Sequence, residues 1–139
     1  MALWRRWCAL PALDRRLVRE ATPLVLAVRL GLWLLPFRWL VSLVERVPEQ
    51  RGPHAPSARR VALAVATASR YVPAASCLTQ ALAARALLRR YRHPALLRIG
   101  VARPSGRRLA AHAWVECAGA VVIGDTGDLS AFRPLAPSR

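Results

Sequence analysis

Cys77 follows Ser76, a residue type that caps helices, and opens a helix-forming stretch that runs to about Tyr91. At a helix start the unpaired backbone N–H groups and the dipole favour an anion. A cysteine there is drawn toward its thiolate, the nucleophilic form, below the usual pKa of ~8.5. The same N–H groups can hold an oxyanion. Taken alone, a cysteine is more often a small apolar filler between a helix and a sheet. A base within reach changes that reading.

His112 is the candidate base. It lies in an apolar strand-like run, Ala111-His112-Ala113-Trp114-Val115, followed after Ala118-Gly119 by a second run, Ala120 to Asp125. A two-residue turn at Ala118-Gly119 places Cys117 opposite Ala120 and Glu116 opposite Val121. Continued, that register places Val115 opposite Val122 and His112 opposite Asp125. Directly opposite residues have Cβ atoms ~4.5–5.5 Å apart, so the Asp125 carboxylate would orient the imidazole and support its charged form. Glu116 shares a strand face with His112 but sits four residues away, ~13 Å at normal rise. Asp128 lies beyond the hairpin and ranks second. Cys117, five positions from His112, faces the other side of the strand and reads as structural. Cys8, His54 and His93 fall in a terminus, a linker and a turn, without the spacing of metal ligands. The chemistry calls for no cofactor and no metal.

The elements that must position these groups follow from the same reading. Thr22-Pro23 suggests a helix start, with a helix from Pro23 to Leu35 and a second from Phe37 to Val47 after Pro36. Residues 48–58 are rich in Pro and polar residues and read as a linker. Helices are expected over Ala58–Ser69 and from Cys77, the latter with Leu78, Ala81, Leu82, Ala86 and Leu88 inward and a stop at His93-Pro94. Strands follow over 95–102, 109–117 and 120–125, with a turn at Pro104-Ser105-Gly106. Helices first and an antiparallel sheet after them make the class α+β. The division expected is an apolar, Arg-rich helical segment over 1–50 and a catalytic core over 58–139.

Composition sets outer limits. The 139 residues suffice for one modest core, and a hydrophobic content of 55% excludes a disordered chain. The formal net charge is +15, and all 22 basic residues are arginine, a bias that reflects codon usage as much as function. Such a surface favours acidic partners. Three cysteines, with no C-x-x-C pair and no secretory signal, point to reduced thiols and a cytoplasmic protein.

Several segments together resemble the leader peptidases of lasso-peptide biosynthesis, the transglutaminase-like region of microcin-processing B proteins. They are Ser76-Cys77-Leu78, Leu87-Leu88-Arg89-Arg90, Pro94 to Val101 (PALLRIGV) and His112-Ala113-Trp114-Val115-Glu116, and the likeness covers about residues 60–128. The resemblance implies a papain/transglutaminase-like core and a Cys77, His112, Asp125 triad. It also implies cleavage of the leader from a ribosomally made precursor peptide. A separate leader-binding protein would present that precursor, and a partner cyclase would close a macrolactam. The room before the first helices suits the stand-alone form, which works with the leader-binding protein in trans. His93 stands where the family pattern suggests a small residue.

Three other readings compete. Residues 21–44 are apolar, but Arg29 sits mid-segment at a cost of ~2.5–3.5 kcal/mol for insertion, and Pro23, Pro36 and Arg38 flank or break the run. Peripheral association with a membrane surface, or docking of a partner protein, suits these helices better than spanning. A nucleic-acid module is disfavoured because the arginines are dispersed. Trp4, Trp7, Trp33 and Trp39 also lie in apolar context, suiting a core or interface better than base stacking. The same triad could pass the acyl group to an amine instead of water.

Overall fold

The computed structural model describes residues 2–50, 55–102, 110–125 and 132–134. Helices α1 (Ala2–Ala9), α2 (Ala12–Leu34), α3 (Phe37–Glu45), α4 (Ala58–Ser69) and α5 (Cys77–Arg90) come first. Strands β1 (Ala95–Ala102), β2 (Ala110–Cys117), β3 (Ala120–Ile123) and β4 (Arg133–Pro134) follow. They form an antiparallel sheet in the order β3-β2-β1-β4, so the chain is α+β.

Helix α5 is the centre of the molecule. Of the expected inward positions Ala81, Leu82, Ala86 and Leu88 are buried and Leu78 is half-buried; Thr79, Ala83, Ala84 and Leu87 are buried as well, leaving almost no side free. Its alanines allow α2, α3 and α4 to approach on some sides while β1 and β2 cover another. Alanine carries little periodic signal, which is why the sequence reads as a one-sided stripe where the helix is enclosed. One hydrophobic cluster runs from Leu17 on α2 through Val61 and Val65 on α4 and Leu82, Leu87 and Leu88 on α5 to Ile123 on β3. Each of these leucines contributes about 1.5–3 kcal/mol by burial.

The expected helix start at Thr22-Pro23 does not occur. Helix α2 runs through Pro23, and the Thr22 hydroxyl, instead of capping, donates to the Val18 carbonyl at 2.7 Å. A proline inside a helix costs about 3 kcal/mol. Leu17, Val18, Ala21, Val25 and Val28 form one buried stripe across the proline, and their combined burial outweighs that cost. Pro36 precedes α3 as expected, and Leu40 packs onto α2 where Gly31 leaves room: a Cβ there would lie 2.8 Å from Leu40 Cδ1.

The segment before α4 is fastened to the end of α5. The Gln50 N–H donates to the Arg90 carbonyl at 2.6 Å, and the His93 Nε2–H donates to the Pro56 carbonyl, also at 2.6 Å. His93 thus ties two loops together. Nearby, the Tyr91 hydroxyl donates to Glu20 on α2. Burial pushes the phenol up to about 12 from its ordinary 10.0, with the Glu20 hydrogen bond adding to the shift. A raised folded-state pKa means stability that is complete below pH 10.0 and lost as pH rises toward 12. Tyr91→Phe is therefore expected to lower unfolding stability by about 1.5–3 kcal/mol at neutral pH. It should also remove the alkaline decline, which urea titrations at a series of pH values would read.

The hairpin corrects one expectation. Ala118 and Gly119 form the two-residue turn, both at positive φ (52° and 81°), with Cys117 opposite Ala120 and Glu116 opposite Val121. Between Glu116 and Val115 the register then shifts, and Val115 pairs with Ile123 instead of Val122. The extra residue is a β-bulge, and it abolishes the direct opposition of His112 and Asp125. The turn at 104–106 and Asp128 lie outside the described residues.

Candidate active site

The bulge brings Gly124 against the histidine. Gly124 has φ +86° and lies so close to β2 that a Cβ would sit 2.7 Å from the Ala113 carbonyl oxygen and 3.0 Å from Trp114 Cα. Only glycine fits this backbone. Its carbonyl accepts a hydrogen bond from His112 Nε2 at 2.5 Å. A carbonyl oxygen has no proton to give, so Nε2 must carry the hydrogen. In the neutral ring that leaves Nδ1 as the basic lone pair.

Aromatic packing fixes the ring further. His112 stacks on Trp114, with centroids 6.1 Å apart and planes at 19°, and meets Phe132 at 5.5 Å. Trp114 and Phe132 both lie over Gly100, directly opposite His112 on β1. A Cβ at Gly100 would fall 2.8 Å from Phe132 and 2.9 Å from the Trp114 ring. Phe132 is a contributor the sequence did not reveal. It precedes β4, a two-residue strand ending in Pro134, too short and too proline-bound to signal itself.

The nucleophile candidate meets this histidine at one cavity. Cys77 is the first residue of α5, and Ser76 caps the helix, its Oγ accepting from the Thr79 N–H at 3.2 Å. That cap satisfies the Thr79 N–H and leaves the Cys77 and Leu78 N–H groups without intrahelical acceptors. No acidic residue occupies the first turn, while Arg89 and Arg90 in the last turn complement the dipole. A cavity of about 180 Å³ is lined by Cys77, Gln80 and Ala81 of α5, His112 and Ala113 of β2, and Ile123, Gly124 and Asp125 at the end of β3.

The structure thus brings Cys77, His112 and Asp125 to one cavity although they are far apart in sequence. Gln80 joins them. It lies three residues along α5 from Cys77 and so shares its helix face. Glu116 is engaged elsewhere: it accepts from Trp114 Nε1 at 3.1 Å and pairs with Arg98 at 3.5 Å. Cys117 is buried on β2, and Cys8 is exposed on α1. Among the described residues, no three His, Cys, Asp or Glu side chains converge on a metal-sized site. No helix among them is long and apolar enough to cross a membrane.

No curated protein and no solved structure matches the chain. Residues 23–137 match the sequence profile of the transglutaminase-like superfamily, spanning α2 to β4 and therefore both sides of the cavity. A cysteine at the start of a central helix, facing a histidine on an antiparallel sheet, agrees with that match, and the chain belongs to the transglutaminase-like superfamily.

Proposed function

We propose that the protein is a cytoplasmic cysteine peptidase that removes the leader from a lasso-peptide precursor. The observation that carries this reading is the cavity shared by Cys77 and a histidine whose Nε2–H is committed to Gly124, so that Nδ1 is left to act as base. The superfamily, which includes cysteine peptidases and acyltransferases, supports the reaction class. The PALLRIGV and HAWVE segments support the substrate. A separate leader-binding protein presents the precursor, and a macrolactam-forming cyclase acts on the released core.

In the reaction, His112 Nδ1 takes the Cys77 thiol proton and Sγ attacks the carbonyl of the last leader residue. The Cys77 N–H and the Gln80 side-chain amide donate to the oxyanion. Nδ1 returns the proton to the departing amine, and the leader remains as a thioester. Water, deprotonated by the same nitrogen, then attacks the thioester, the C–S bond breaks, and the proton passes from Nδ1 to the departing Sγ. Asp125, at the rim of the cavity, stabilises the imidazolium electrostatically, while the Gly124 carbonyl holds the ring's orientation.

The test is incubation with a lasso precursor and its leader-binding partner, with mass analysis of the products. Two fragments whose masses sum to precursor plus one water are expected, with or without an added amine. A leader fragment carrying the amine would show acyl transfer instead, and an intact precursor would contradict both. Gln80→Ala is expected to lower kcat by about 10²-fold with little change in KM.

A further inference from the structure

We infer that the exposed faces of α2 and α3 form a docking surface for an anionic lipid bilayer, which the protein binds peripherally. Among the described residues, six of the nine exposed large hydrophobic side chains belong to these two helices: Leu26, Leu30, Trp33, Leu34, Trp39 and Leu43. They are not marginal exposures: Trp33 is 75% exposed, Leu34 78% and Trp39 64%. The opposite sides of both helices are filled by the core, through Val25 and Val28 on α2 and Leu40 and Val44 on α3. The outward residues are therefore surplus to the fold, and their concentration marks an interaction face.

Charge selects the occupant. From Pro23 to Leu34 helix α2 has no carboxylate, and its one charged residue, Arg29, lies 5.1 Å from the centre of the Trp33 ring. On α3, Arg38 and the flanking Arg46 bracket Trp39 and Leu43 around a hollow of about 340 Å³ that Leu35 and Ser42 complete. The only carboxylate of α3, Glu45, is held by Arg85 of α5 at 2.9 Å. The face thus offers tryptophan and leucine between arginines. Tryptophan rings settle at headgroup depth, leucines reach the acyl boundary and guanidinium groups meet lipid phosphates. The net charge of +15 draws the whole molecule to the same surface.

The experiment is flotation of the full chain with vesicles of phosphatidylcholine alone and of phosphatidylcholine mixed with phosphatidylglycerol, at low and high salt. Binding to the mixed vesicles is expected, weakening with salt. The double variant Trp33→Ser, Trp39→Ser retains every charge and replaces two exposed side chains, and it should bind about tenfold or more weakly. Matching melting curves would show that it is folded. Absence of binding to mixed vesicles at low salt would overturn the inference. Undiminished binding by the double variant would do so too, by showing adhesion through charge alone. A dimer that the double variant abolishes, without vesicle binding, would assign the face to a second copy and equally overturn it. Cys77 reactivity, measured in parallel, keeps the outcome separate from the peptidase reading.

Discussion

His112→Ala is expected to lower kcat/KM for precursor cleavage by about 10²–10⁴-fold, the usual contribution of a positioned general base. The loss should be largest near neutral pH and shrink as pH rises, because at high pH the thiol ionises without assistance. This profile separates a base from a residue that only supports the fold. His112 is half-buried and its ring rests against Trp114 and Phe132, so truncation also leaves a gap under those rings. His112→Gln tests the distinction, since it keeps a polar side chain of similar reach with no basic nitrogen. Matching losses in the two variants would assign the effect to proton transfer, and activity retained by the glutamine variant would refute that assignment.

Gly124→Ala is the second large effect. An L-residue at φ +86° carries a left-handed penalty of about 1–2 kcal/mol. The added methyl would also stand 2.7 Å from the Ala113 carbonyl oxygen, a backbone atom that no rotamer change can move aside. The bulge must then open, and the carbonyl that holds His112 Nε2 moves with it. A fall in Tm of roughly 5–10 °C is expected, together with a loss of activity greater than the stability change explains. Gly119→Ala is the matched control. Its φ is +81°, with nothing within 4 Å of the new Cβ, and it lies in the turn away from the cavity. It should show the backbone penalty and leave catalysis intact. Equal activity losses at the two glycines would refute the role given to the Gly124 carbonyl.

These two positions also show what the sequence could and could not reveal. Caps and breakers are local, and they located α5: Ser76 accepts from the N–H group three residues on, and His93-Pro94 follows the last turn. The hairpin turn was legible because two residues separate Cys117 from Ala120. The bulge was not, since Val122 is as good a strand residue as its neighbours and nothing in its identity marks it as the unpaired one. The cause lies two residues further on, where Gly124 permits an approach that only the folded pair of strands creates. Pro23 misled for the opposite reason, because a strong local signal was overridden by burial of the stripe from Leu17 to Val28. Gln80 and Phe132 enter the site through helix facing and strand pairing, which become visible only once Cys77 and His112 are placed.

The most direct test of the central claim is the rate of alkylation of Cys77 against pH, mapped by peptide mass, in the native protein and in His112→Ala. Cys8, exposed on α1, supplies an internal reference in the same sample, and buried Cys117 should react slowly. The account predicts that at neutral pH Cys77 is alkylated much faster than Cys8 and that His112→Ala removes most of the difference. A Cys77 profile that coincides with that of Cys8 and ignores the loss of His112 would contradict the account.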